Sequence, residues 1–267
     1  MTPDSDARLG RSPGTPPVVA HPLFTFPLKV DRFYASLMRH APSGEAGLGG
    51  RLLYAGELGE EASALIVAAN IAGSASLAAT SEPGAGKQAI RDGVADFLVT
   101  TLDEALRILK NQVRKREPVA VCVAAEPATI EQEMLERGVL PDLVRDVELG
   151  AATDRGADYG GSAIFIAPLS PAQNESIVTW SVDEAPTKWL PRLDAIALEC
   201  LAPEESASAP LAHRWLRFAP RYLGRLARNV RVLRCSTLTA HTIAERMHAS
   251  IDSGKIPITV RIEIVVA

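Results

Sequence analysis

Between Arg51 and Asp146, short apolar runs alternate with segments whose apolar residues recur every three or four positions. The runs Leu52–Ala55, Ser76–Thr80, Ala95–Thr100, Val119–Ala125 and Leu143–Val147 predict strands, and a helical pattern fills each gap between them. Strand, helix, strand in steady succession predicts a parallel sheet with crossover helices. The clearest helix follows Thr100. Thr101 and Glu104 have the spacing of a capping box, in which hydroxyl and carboxylate satisfy amides that a helix start leaves unpaired. Leu102, Ala105, Leu106, Leu109 and Val113 then form an apolar stripe opposite Arg107, Lys110, Arg114 and Lys115, and Pro118 stops the helix. Val119–Ala125 is continuously apolar, as expected of a strand covered on both faces. Thr129 and Gln132 repeat the capping spacing before a helix that Gly138 ends. Upstream, Val30, Phe33, Tyr34, Leu37 and Met38 predict a short helix over Val30–His40, packed on the later sheet, with Pro42–Gly50 as a flexible lead into the first strand.

Past Asp146 a run of glycine and charge, Gly150–Gly161, marks a boundary. Beyond it Ala163–Ala167, Ser176–Val182, Asp194–Cys200, Val230–Cys235 and Ile258–Val266 read as strands, and Leu211–Arg228 and Ala240–Ser253 as helices. The expected fold class is α/β: a Rossmann-like parallel sheet with flanking helices over residues 21–150, then a second, smaller α/β unit over 151–267. The first twenty residues, rich in proline, glycine, serine and charge, are expected to be a disordered tail.

Composition narrows the function. A net charge of -4 with 47% hydrophobic residues lacks the basic excess that nucleic-acid binding needs. No stretch of eighteen apolar residues and no signal peptide is present, so membrane insertion is not expected. Cys122, Cys200 and Cys235 sit in apolar runs at wide spacing, which predicts buried reduced thiols in a cytoplasmic protein.

Candidate chemistry gathers after the first strand. A dinucleotide-binding protein puts its glycines there, because a pyrophosphate is held by bare amides at a helix N-terminus. Here the turn reads Gly56-Glu57-Leu58-Gly59-Glu60-Glu61-Ala62-Ser63, with carboxylates at the mouth that can cap those amides and repel phosphate. Gly84-Ala85-Gly86-Lys87 looks like the end of a P-loop, but Ser81 replaces its first glycine and Gln88 its magnesium-holding hydroxyl, and the segment is read as a turn. Arg214, Arg217, Arg221, Arg225 and Arg228 share one face if their helix runs through Pro220, forming either a solvated face or a surface for an anion or acidic partner. His241, Glu245 and His248 share a helical face too, yet the histidines lie seven apart and no fourth ligand suggests itself, so no metal is expected. There is no Gly-x-Ser-x-Gly elbow for a serine nucleophile.

These residues carry a resemblance. Asp92-Gly93, Thr101-Leu102-Asp103-Glu104-Ala105-Leu106 and Arg137-Gly138-Val139-Leu140-Pro141-Asp142, with Ala55-Gly56 and the helix end Ala68–Gly73, resemble the central Rossmann-like domain of urocanase. The resemblance covers about Arg51 to Asp146. Urocanases are homodimeric lyases that use a tightly held NAD as an electrophile to add water across urocanate, so the resemblance implies that fold, a homodimer and a coenzyme cradle after the first strand. The cradle departs from the family. Its Gly-Gly-Met-Gly-Gly-like run maps onto Gly59-Glu60-Glu61-Ala62-Ser63, and its following Gln onto Leu65. Its acidic residue and arginine beyond the second strand fall near Thr80 and Ala85; its Asn-Ala pair becomes Glu126-Pro127. Its Gln-Thr-Ser-Ala-His run becomes Val147–Ala151, with Asp146 before it kept. Nothing matches the family's catalytic flanks. Two readings follow: a urocanase-related, non-catalytic module for an unknown small molecule or protein, with no cofactor and no catalytic residue; or a divergent NAD-dependent hydro-lyase. For either, the cofactor-side positions are Gly56, Gly59, Glu82 and Asp146.

Overall fold

The computed structural model describes residues 22–43, 46–146, 162–201, 209–256 and 259–266. The expected tail and the Gly150–Gly161 boundary lie outside these, as do Val147 and Ile258.

The chain begins with α1 (Pro22–Met38), then runs β1 (Leu52–Glu57), α2 (Glu60–Ala72), β2 (Ala75–Ala79), α3 (Pro83–Asp92), β3 (Phe97–Val99), α4 (Leu102–Lys115), β4 (Ala120–Val123), α5 (Pro127–Glu136), β5 (Leu143–Arg145) and β6 (Ile164–Ile166). Its strands form one six-stranded sheet in the order β3-β4-β2-β1-β5-β6, every pair parallel. Handedness distributes the helices. From β1 the chain steps outward through α2 and α3, then reverses through α4 and α5 and passes to the far side of β1. Because such crossovers are right-handed, reversal of direction puts the second pair of helices on the opposite face. The core divides accordingly. Ala62, Leu65 and Ala89 of α2 and α3 belong to one apolar cluster. Leu102, Leu106 and Leu109 of α4 and Ile130 and Met134 of α5 belong to the other.

A second unit follows: β7 (Glu175–Val182), α6 (Pro186–Leu201), α7 (Ala209–Leu223) with a 3-10 turn over Gly224–Ala227, β8 (Val230–Ser236), α8 (Thr237–Asp252) and β9 (Val260–Val266). It is antiparallel, in the order β8-β7-β9. The central strand β7 is buried from Ser176 to Val182, so both its faces are covered.

The two units share a core through α2. Every residue from Ala64 to Ala72 is buried, and the helix is apolar all round rather than striped. A helix of that kind needs cover on every side. The sheet covers one side and α1 and α7 cover the others. Its C-terminus is held across the junction, where Arg214 of α7 donates from Nε to the Ile71 carbonyl at 3.0 Å. A helix end leaves carbonyls unpaired and carries partial negative charge, so a guanidinium suits it. Gly73 (φ 93°) makes room: a β-carbon there would lie 2.7 Å from Arg214 Nη2.

Several expectations change. Asp194–Cys200 is not a strand but part of α6, where Leu190, Leu193, Ala197 and Leu201 are buried at helical spacing; Pro191 inside the helix hid that period. Ala163–Ala167 contributes β6, which extends the first sheet instead of opening the second. Gly84–Lys87 is the start of α3 and not a turn, since Pro83 occupies the first helical turn, where its missing N–H and fixed φ cost nothing. Gly86 packs under Leu98, with only 2.7 Å for a β-carbon. The helix expected at Thr129 begins at Pro127, and Glu126 precedes it without a side-chain cap. The helix expected at Val30 begins at Pro22 and accommodates Pro27. Leu211–Arg228 is helical through Pro220 but leaves α geometry after Leu223. Thr101 caps α4 as expected, accepting from the Glu104 amide at 3.3 Å, while the Glu104 carboxylate accepts from Thr100 N–H at 3.1 Å. These hydrogen bonds hold the Glu104 carboxyl below its usual range.

All three cysteines are buried. Burial pushes the Cys122 thiol up to about 11. Since the thiolate is the reactive form, a thiol reagent at pH 8 is expected to leave Cys122 unlabelled in the native chain and to label it in guanidinium, read by mass spectrometry of the peptide that carries it.

Candidate functional site

In an open parallel sheet, ligands bind beyond the carboxyl ends of the strands where the connections change direction. Here that point lies between β1 and β5. The local backbone is built for it. Tyr54 stands opposite Leu77 and Glu57 opposite Ala79, so Ala55 and Gly56 share one position of β2 and form a bulge. Gly56 takes φ 71°, a left-handed conformation that strains a residue with a β-carbon.

That bulge admits Arg145, which is not among the residues expected at the site. The guanidinium leaves the end of β5 and passes within 3.4 Å of where a Gly56 β-carbon would stand, and Nη1 reaches the Glu57 carbonyl at 3.4 Å. Burial lowers the Arg145 pKa against the opposing pull of Glu61, Tyr54, Glu57 and Glu131. Among the described residues no carboxylate stands within ion-pair distance of it. Tyr54 donates to Glu131 Oε1 at 3.1 Å from beneath the same edge. The signal was present in Val144-Arg145-Asp146: a long cation at the end of a buried strand has to emerge at the strand's mouth.

At the adjoining N-terminus of α2, Gly59 is the extended cap residue and makes no side-chain cap hydrogen bond. Glu60 and Glu61 are turned aside. Their carboxylates reach Lys29 of α1 at 2.8 and 2.6 Å, and these two hydrogen bonds raise the lysine pKa. The acids were expected to fold back over the helix amides; the structure satisfies them with a lysine from another element.

The remaining positions spread along the same edge. Glu82 is the exposed, extended residue before α3, its amide donating to Thr80 Oγ1 at 3.1 Å. Asp146 is exposed at the end of β5, its amide donating to the Ile166 carbonyl at 2.9 Å. Gly56, Gly59 and Asp146 therefore border the switch point, whereas Glu82 stands farther along, beyond β2. Of the five arginines, Arg214 turns inward to α2 while Arg217, Arg221, Arg225 and Arg228 are exposed. Arg217 and Arg221 lie over the rings of Phe218 and Tyr222. His241, Glu245 and His248 are exposed on α8, and among the described residues no group of histidine, cysteine and acids is arranged to hold a metal. No helix of the described residues is long and apolar enough to cross a membrane.

Residues 32–151 match the family model of the urocanase Rossmann-like domain. The match runs from within α1 through all of β1 to β5, less than half of the 267-residue chain. It therefore contains both the bulge at Gly56 and the acids that meet Lys29.

Proposed function

We propose that this chain is a non-catalytic binding module, one that keeps a urocanase-type Rossmann scaffold and has given up its coenzyme. The observation that carries the reading is the clasp of Lys29 with Glu60 and Glu61 beside the N-terminus of α2. A dinucleotide pyrophosphate needs that space, small residues around it and the positive helix end. Two carboxylates next to it present the wrong charge, Lys29 is already shared between them, and Arg145 at the same edge is turned to the Glu57 carbonyl. The residues present do not fit NAD, and no step of a urocanase-like reaction is assigned to them.

NAD titrated into the purified chain up to millimolar concentration is expected to leave the melting transition unmoved. A ligand at one hundred times its dissociation constant would add about 2.7 kcal/mol of stability. A saturable upward shift, or NAD carried through purification, would replace this reading with that of a divergent hydro-lyase.

A further inference from the structure

A cavity of about 150 Å³ lies away from the carboxyl edge of the first sheet, where α1, α7 and β8 meet. Its walls are largely apolar: Trp215, Leu211 and Ala212 from α7, and Tyr34 and Ala35 from α1. The Tyr34 and Trp215 rings pack at 5.1 Å between centroids, tilted by 54°. Tyr34 spends its hydroxyl on the Leu211 carbonyl at 2.9 Å, which leaves the ring as wall and not as a donor to the lumen. A cavity of this size with apolar walls admits a single ring.

The polar end is built around Arg234, whose side chain is 9% exposed. Nε and Nη2 both donate to Asp31 Oδ2, at 3.0 and 2.7 Å, and Nη2 also donates to the Leu169 carbonyl at 3.0 Å. Nη1 is different. It is buried without a hydrogen bond: the Glu175 carboxylate forms an ion pair with it at 3.6 Å, too long for a hydrogen bond, and accepts from the Ala172 amide at 3.0 Å. A buried donor left open costs free energy, and in a native fold it points to a missing partner. Charge indicates which kind. Arg39 and Arg234 line the cavity with Asp31 and Glu175, an even balance. Arg234 pairs with both acids, whereas Arg39 has no ion pair among the described residues.

From the open donor, the unpaired Arg39 and the apolar walls, we infer that this cavity binds a small monocarboxylic acid with a compact apolar body, its carboxylate meeting Arg234 Nη1 and Arg39. The site would give the binding-module reading its ligand class, and it rests on that reading. Its test is separate from the NAD titration, so either can fail alone.

Benzoate is the probe, with benzamide as its uncharged counterpart, in the full chain. Benzoate is expected to change tryptophan fluorescence saturably, because Trp215 forms a wall, and to bind about ten-fold tighter than benzamide, in line with a charge-assisted hydrogen bond. Ala35→Leu, which fills the lumen from α1 without touching a buried charge, is expected to abolish the response. Arg39→Gln, at an exposed position, is expected to weaken benzoate about ten-fold and leave benzamide unchanged. Absence of saturable benzoate binding would overturn the proposal. So would equal affinity for benzamide, or an Arg39→Gln chain that binds benzoate as the parent does.

Discussion

Replacing Asp31 with alanine is expected to destabilise the fold by about 3–5 kcal/mol, because Arg234 is then left buried without its carboxylate. Asp31 is 2% exposed and joins α1 to β8 through two hydrogen bonds from one guanidinium. Burial outweighs Arg234 and raises the Asp31 pKa, so the carboxylate depends on that pairing to stay charged. Denaturation in urea would measure the loss as a lower midpoint. The paired substitution Asp31→Leu with Arg234→Met removes both deeply buried charges together and is expected to cost much less, since only the partly exposed Glu175 loses an ion pair. A double variant as unstable as Asp31→Ala would show that packing at this junction, and not the orphaned charge, sets the cost.

Trp180→Ala is expected to be of similar size, about 3–5 kcal/mol, through the cavity it opens in the middle of β7. The side chain is fully buried. Its indole N–H donates to Asp194 Oδ1 at 3.2 Å, while Arg231 Nε donates to Asp194 Oδ2 at 3.2 Å. Trp180→Phe separates the two contributions: it keeps most of the packing and leaves one partly buried carboxylate oxygen without its donor, for roughly 1 kcal/mol. If the phenylalanine variant matched the parent in urea, the indole hydrogen bond would contribute nothing, and the alanine loss would belong to volume alone.

Asp194 also shows how the sequence pattern misled. Read in its own heptad, Asp194–Cys200 is an apolar run with β-branched and small residues, and Pro191 conceals the buried positions Leu190 and Leu193 before it. Periodicity reports which side of an element is covered. It fails where a proline breaks the pattern, as Pro191 does. The helix at Thr101 was legible for the opposite reason: its stripe, its cap and its stop all lie within one local segment.

The candidate site was legible by position and not by geometry. The turn after β1, its glycines and its acids could be placed from strand order alone, because the chemistry of a strand-to-helix turn is local. What those acids do depends on Lys29, thirty-one residues earlier in the chain, and the Gly56 bulge acquires its meaning from Arg145, eighty-eight residues from Glu57.

By itself, then, the sequence determined the parallel α/β character of the first unit, the caps and stops of α4, the burial of the cysteines and the crowd of carboxylates at the β1 turn, all consequences of patterns spanning a few residues. Only the tertiary structure decided that β6 joins the first sheet, that α2 is covered on every side, and that Arg214, Lys29 and Arg234 each bind a partner on a distant element. Local preferences are set by neighbours along the chain, whereas ion pairs and shared cores form between segments whose separation leaves no periodic trace.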